Sequence, residues 1–168
     1  VYQVLDDFIF EEINSQTDLG TSDMWDWEYL KQRFASHIMV DVSYENIQKD
    51  LDESDNYEKI IDWILTKAKS IYKAREDLIP EQVIRSFERF IMLRTIDEKW
   101  KDHLYSMDQL REGINLRAYG QKNPLLEYKS EGFKMFQEMM GDMSAITIQR
   151  LFRTQLQEWR SLPQQESQ

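Results

Sequence analysis

Residues 83–124 read VIRSFERFIMLRTIDEKWKDHLYSMDQLREGINLRAYGQKNP. Val83, Phe87, Phe90, Leu93, Ile96, Trp100, Leu104, Met107, Leu110 and Ile114 recur at steps of three or four, the spacing of one helix face. At 1.5 Å per residue this stripe is about 46 Å long. No Pro or Gly interrupts it before Gly113. Gly120 and the Asn123-Pro124 pair then break the helix, because Gly suits a left-handed terminus and Pro disfavours helix in the residue before it. A second arm begins near Leu125, with Phe133, Phe136, Met140, Met143 and Ile146 as its stripe, continuing less regularly from Leu151 to Trp159. A link of about seven residues is too short for a parallel arrangement, so the two helices are expected to fold back antiparallel. If the Trp100 indole is fully buried in the stripe, truncation to Ala costs about 3–5 kcal/mol. A loss below about 1 kcal/mol would mark an exposed or interface position.

Upstream, the spacing predicts a helix over 2–14, a loop over 15–23 and a helix from Trp25 to Phe34 capped by Ser22 or Asp23. The apolar run Ile38–Val40 fits either a short strand or a packed loop. Residues 44–52 suit a short helix. From Tyr57 to Asp77 the stripe of Ile60, Ile61, Ile64, Leu65, Ala68 and Ile71 predicts a longer one. Pro80 suits the first turn of the next helix, where its missing N–H costs nothing.

The 168 residues suffice for a real core. With 5 Gly and 3 Pro, long helices are favoured over an all-β fold. There is no cysteine, which removes disulfides and thiolate metal sites and agrees with a reducing compartment. No apolar run approaches the roughly 18–20 residues needed to span a bilayer. Charge is uneven: residues 1–78 hold 18 acids and 8 bases, and residues 79–168 hold 13 of each. The acidic half would be repelled by phosphate backbones, so nucleic acid is not an expected partner. The neutral half can approach a protein or anionic lipid at little cost.

Motifs for chemistry are missing from the chain. The glycines are scattered and form no G-x-x-x-x-G-K-[ST] phosphate loop. His103 lacks the Glu-x-x-His spacing of di-iron bundles and reads as a helix-surface or core-edge residue. The Asp50–Asn56 run lacks the Gly and Glu of a calcium loop and reads as solvated. Met135, Met139, Met140 and Met143 suit either core packing, the preferred reading, or an adaptable peptide surface. Tyr119 has two readings. Its ring caps the open end of the hairpin, or it is a contact residue at a protruding tip. Arg117 and Lys122 beside it would suit carbonyls, carboxylates or lipid phosphates.

Arg85 to Met140 closely resembles the two-helix finger of SecA, the bacterial preprotein translocase ATPase. The resemblance rests on LRTIDEKWKDHL (93–104), MDQLREGINLRAYGQKNPLLEYK (107–129) and a following F-x-x-M helix. MWDWEYLKQRF (24–34) and the Tyr57–Glu76 helix resemble the family's helical wing domain. The implied fold is all-α: a small helical wing subdomain plus a long antiparallel two-helix hairpin. Residues 1–14 would end the long scaffold helix, 15–78 form the wing, 79–160 the finger with its turn at 117–124, and 161–168 a frayed tail.

The resemblance implies a fragment of a motor that uses ATP with Mg to drive unfolded preproteins through the SecYEG channel. Tyr119, Arg117 and Lys122 would be the fingertip that touches the moving polypeptide. Arg94, Asp97, Trp100 and Lys101 would be candidates for coupling to the ATPase. Nucleotide-binding domains would lie before Val1 and a zinc-binding tail beyond Gln168. This fragment would then hold no cofactor and hydrolyse no ATP. Its partners would be SecYEG, preprotein and other SecA domains, with anionic lipid as a further candidate, at the cytoplasmic face of the inner membrane. The alternative is a generic helical scaffold or adaptor that binds a partner protein through the hairpin.

Overall fold

The computed structural model describes residues 1–18, 20–51, 56–117 and 123–154, the side chains of 115–117 excepted. These residues form six α-helices and no strand. The helices are α1 (Tyr2–Thr17), α2 (Trp27–Ile38), α3 (Tyr44–Asp50), α4 (Tyr57–Asp77), α5 (Glu81–Arg117) and α6 (Pro124–Arg153).

Short polar side chains start most of the helices. Asp26, Ser43, Asn56 and Asn123 each accept a backbone N–H of the first turn, from Tyr29, Asn46, Glu58 and Leu125 respectively. Such caps satisfy donors that have no partner within the helix. Asp26, rather than Ser22 or Asp23, therefore caps α2. Ser22–Met24 form a separate 3-10 turn, and the Trp25 and Trp27 indoles donate to the carbonyls of Gly20 and Ser22. Pro80 sits just ahead of α5, where its carbonyl accepts from Val83 and Ile84. The 39–43 segment is a packed loop with Val40 and Val42 buried.

A single apolar core gathers α1, α2, α3, α4, the first turns of α5 and the last turns of α6. Leu5, Phe8, Ile9 and Ile13 of α1 meet Leu30 and Phe34 of α2 and Ile60, Ile64 and Ala68 of α4. The C-terminal part of α6 closes this core with Ala145, Ile148, Leu151 and Phe152. Burial at i, i+3 and i+4 explains why these short segments are helical at all, since isolated helices of such length are marginal in water.

At the α1–α2 seam, Glu12 accepts from Arg33 (2.7 Å) and from the Tyr29 hydroxyl (2.9 Å). The buried His37 ring stacks on Phe8 at 5.3 Å between centroids. Its Nε2 lies 3.1 Å from the Arg33 guanidinium, which only donates, so Nδ1 carries the proton and faces the Arg33 carbonyl at 2.9 Å. Burial, then the Arg33 charge, push the His37 pKa below its ordinary value.

Beyond the core, α5 and α6 continue as a pair. Lys99 bonds Asp142 at 3.0 Å, and Arg150 reaches Thr95 (3.1 Å) and Glu98 (2.6 Å). Met107 lies against Gly132, nearer the other end of the pair. Rising numbers in α6 meet falling numbers in α5, so the two helices run antiparallel. The segment that joins them, 118–122, lies outside the described residues.

Candidate interaction surface on the α5–α6 pair

The α5 stripe divides in the structure. Phe87, Leu110 and Ile114 are buried, but Leu93, Ile96, Trp100 and Leu104 are 44–60% exposed. The side of this stretch that faces α6 is largely polar. Thr95 is fully buried, donating to the Ile91 carbonyl and accepting from Arg150. Lys99 and Glu98 carry the other links to α6. The expected sorting is inverted here: polar groups lie between the helices and apolar groups lie outside. Periodicity finds the most apolar face of a helix but says nothing of which face meets a neighbour, and that is why the sequence left the burial of Trp100 open.

The α6 stripe is likewise exposed over its first half. Phe133, Phe136 and Met140 are 40–62% exposed, while Gly132 and Met139 are buried instead. A row of rings joins the two exposed stripes: Trp100 lies 5.7 Å from His103, and His103 lies 5.9 Å from Phe136. The outcome is one apolar face across both helices. Single exposed apolar residues are ordinary on a protein surface, but a contiguous set marks an interaction site.

Charge frames this face. Arg94 pairs with Glu98 at 2.8 Å and Lys101 with Asp97 at 2.7 Å, both one helical turn apart. Hydrogen bonds from Arg94 and then Arg150 hold the Glu98 carboxyl below its usual range. The hydrogen bond to Asp97 raises Lys101. Such exposed pairs contribute little to stability. They keep the rim of the apolar face ionised and nearly neutral in sum. Arg94, Asp97, Trp100 and Lys101 thus occupy two successive turns of α5, with Trp100 as the one large apolar group among them. Tyr119 and Lys122 lie outside the described residues, as does the Arg117 side chain.

These features define an all-helical domain: a packed body from which a two-helix extension carries an apolar face that is exposed among the described residues. No helix among the described residues is long and apolar enough to cross a membrane. The chain belongs to the SecA family, since residues 1–155 match the SecA Wing and Scaffold domain. It is similar to the protein translocase subunit SecA of Chlorobium phaeobacteroides (strain BS1), with 36% identity over 146 residues. That match takes in 86% of this chain and 14% of the relative.

Proposed function

We propose that this chain supplies the wing and the two-helix finger of a SecA motor that drives preproteins through the SecYEG channel with ATP. The division is the one expected above: scaffold helix end at 1–14, wing at 15–78 and finger at 79–160. The observation that carries the reading is the exposure of the apolar stripes of α5 and α6, together with membership of the family. A free-standing hairpin would gain by placing Leu93, Ile96, Trp100 and Phe136 between its helices. A working part that must dock on other surfaces keeps them outside.

In this reading Trp100 is the anchor of the docking face, and Arg94, Asp97 and Lys101 are its polar rim. Their contacts report the finger's position to the ATPase. Tyr119, with Arg117 and Lys122, is the fingertip. An amphipathic ring with donors for backbone carbonyls grips any sequence, as a transporter of varied chains requires. The packed pair behind it resists bending and so transmits displacement. These residues carry no phosphate-binding glycine loop, so ATP with Mg is bound by other parts of the motor. The site of action is the cytoplasmic face of the bacterial inner membrane, with SecYEG, unfolded preprotein, other SecA domains and anionic lipid as partners.

The absence of cysteine provides a clean test. Tyr119→Cys is placed in a full-length, cysteine-free SecA carrying this segment, and a secretory substrate with single cysteines is stalled in the channel. Disulfide cross-links are expected only with ATP and channel present. Normal transport without cross-links from position 119 would remove the fingertip role.

A further inference from the structure

The two exposed stripes share one spacing. Arg89, Leu93, Ile96 and Trp100 of α5 stand at steps of four, three and four residues, and so do Lys129, Phe133, Phe136 and Met140 of α6. Such steps keep each set on one side of its helix. The apolar members are all exposed. A basic residue thus stands one turn ahead of an exposed apolar triplet on each helix.

Both basic residues are exposed, and neither has a hydrogen-bond or ion-pair partner among the described residues. The cations between them are already engaged. Lys99, Lys101 and Lys134 have Asp142, Asp97 and Glu138, and Arg94 and Arg150 share Glu98. Asp102 and Glu112 are exposed without partners among the described residues, but they fall off the line of the stripe. The spare charge in line with the apolar groups is therefore positive on both helices.

Because the helices run antiparallel, the two cations lie toward opposite ends of the shared face. Met107 lies against Gly132, which sets Lys129 level with the turn at Leu110. At 1.5 Å per residue, Arg89 and Lys129 are then about 30 Å apart along the pair. No single side chain bridges that distance, so the occupant is an extended surface. A second copy of the chain does not suit, since spare charge of one sign cannot complement itself. A lipid surface suits less well, because faces that lie on membranes crowd unpaired cations round the apolar side. Here Asp97, Glu98 and Glu138 stand in the rim and would be repelled by anionic headgroups.

We propose that the occupant of this face is an acidic protein surface from elsewhere in the full-length protein: an apolar patch bordered at opposite ends by two Asp or Glu side chains, one for Arg89 and one for Lys129. The matched region is 14% of the Chlorobium relative, so most of such a protein lies outside this chain. Apolar contact alone is non-directional and would let the partner slide along the stripes. Two charge contacts at the ends fix its register. Once the apolar contact between them excludes water, they count for more than exposed pairs do. The proposal rests on the reading of Trp100 as a docking anchor and gives that reading a chemical partner.

The test uses a full-length SecA carrying this segment. Arg89→Glu and Lys129→Glu should each slow preprotein transport by about tenfold or more. Neither should change the melting temperature, because neither residue has a partner in the fold to lose. Lys31→Glu, an exposed cation on α2, should stay within about twofold. Selection for restored transport should return Asp or Glu changed to Lys or Arg, at one site for Arg89→Glu and at another for Lys129→Glu. Trp100→Ala reads the docking face by itself, and normal transport there removes the face and this proposal with it. Slowed transport by Trp100→Ala beside normal transport by either charge reversal overturns the two-carboxylate partner and leaves the face standing. Suppressors that never fall on a carboxylate overturn it as well, and loss of binding to phosphatidylglycerol vesicles in both reversals would then assign the face to lipid. If a charge reversal does not fold, Arg89→Gln or Lys129→Gln is read in the same way.

Discussion

The root and the middle of α5 obey opposite rules. At its root, Ile84, Phe87 and Ile91 enter the common core, and the one buried carboxylate, Glu88, is held by Arg85 and Tyr72. One to two turns further on, Thr95 and Lys99 face the partner helix while Leu93, Ile96 and Trp100 face solvent. The root is built to hold itself together, and the extension spends its apolar surface outward. The difference separates residues that make the fold from residues that the fold presents.

The largest expected effect tests this contrast within one helix. Phe87→Ala empties a fully buried site, so it should cost about 3–5 kcal/mol in urea unfolding. Trp100→Ala removes a larger side chain that is 46% exposed, and it should cost about 1 kcal/mol or less. Equal losses would mean that Trp100 is covered after all, and the idea of a presented face would fall.

A smaller effect should appear with pH, and it should belong to the root. His37 is neutral in the fold, with Arg33 at Nε2, Phe8 under the ring, and Glu12 and Arg153 contributing opposing charge. Its folded pKa lies below the unfolded value, so the unfolded chain binds the extra proton first. Stability should therefore fall as pH drops through the ordinary histidine value of about 6.5, and level off below the lowered folded value. His37→Gln should flatten that slope between pH 7.5 and 5.5. A slope that survives the substitution would assign the acid response to another group.

The sequence made some of this legible, for reasons that can be located. Helix α4 was readable end to end, because Asn56 caps it and Ile60, Ile64 and Ala68 meet a single neighbouring core. The long α5 and its break before Pro124 were readable from period and punctuation. Position 26 was misjudged because Trp25 is tied back to Gly20, which delays the helix until Asp26 can cap it. The burial of Trp100 was left open because the partner face of this stretch is made by Thr95, Lys99, Asp142 and Arg150, a set with no periodic apolar mark. Such a signal was available only as charge pairs flanking an apolar stripe. The links of Arg75 to the Leu151 carbonyl and of Arg85 to Glu76 left no trace at all, since each joins residues whose proximity only the folded chain creates. Arg94, Asp97, Trp100 and Lys101 were singled out as candidates for coupling only by family likeness. The structure adds that they share one exposed stretch.

The smallest expected effect compares two glycines on the α5–α6 pair. Nothing lies within 4 Å of a Cβ added at Gly113, so Ala fits there. In a helix interior that change should stabilise by about 0.5–1 kcal/mol, because Gly loses more backbone freedom on folding. At Gly132 the same Cβ would meet the Met107 methyl at 2.9 Å. Met107 is flexible and can turn away, but it then gives up packing between the helices. Gly132→Ala should therefore gain less than Gly113→Ala, or lose stability, in the same urea titration. Equal gains would show that Met107 moves at no cost, and that close packing at this point of the seam does not hold the outer part of the pair.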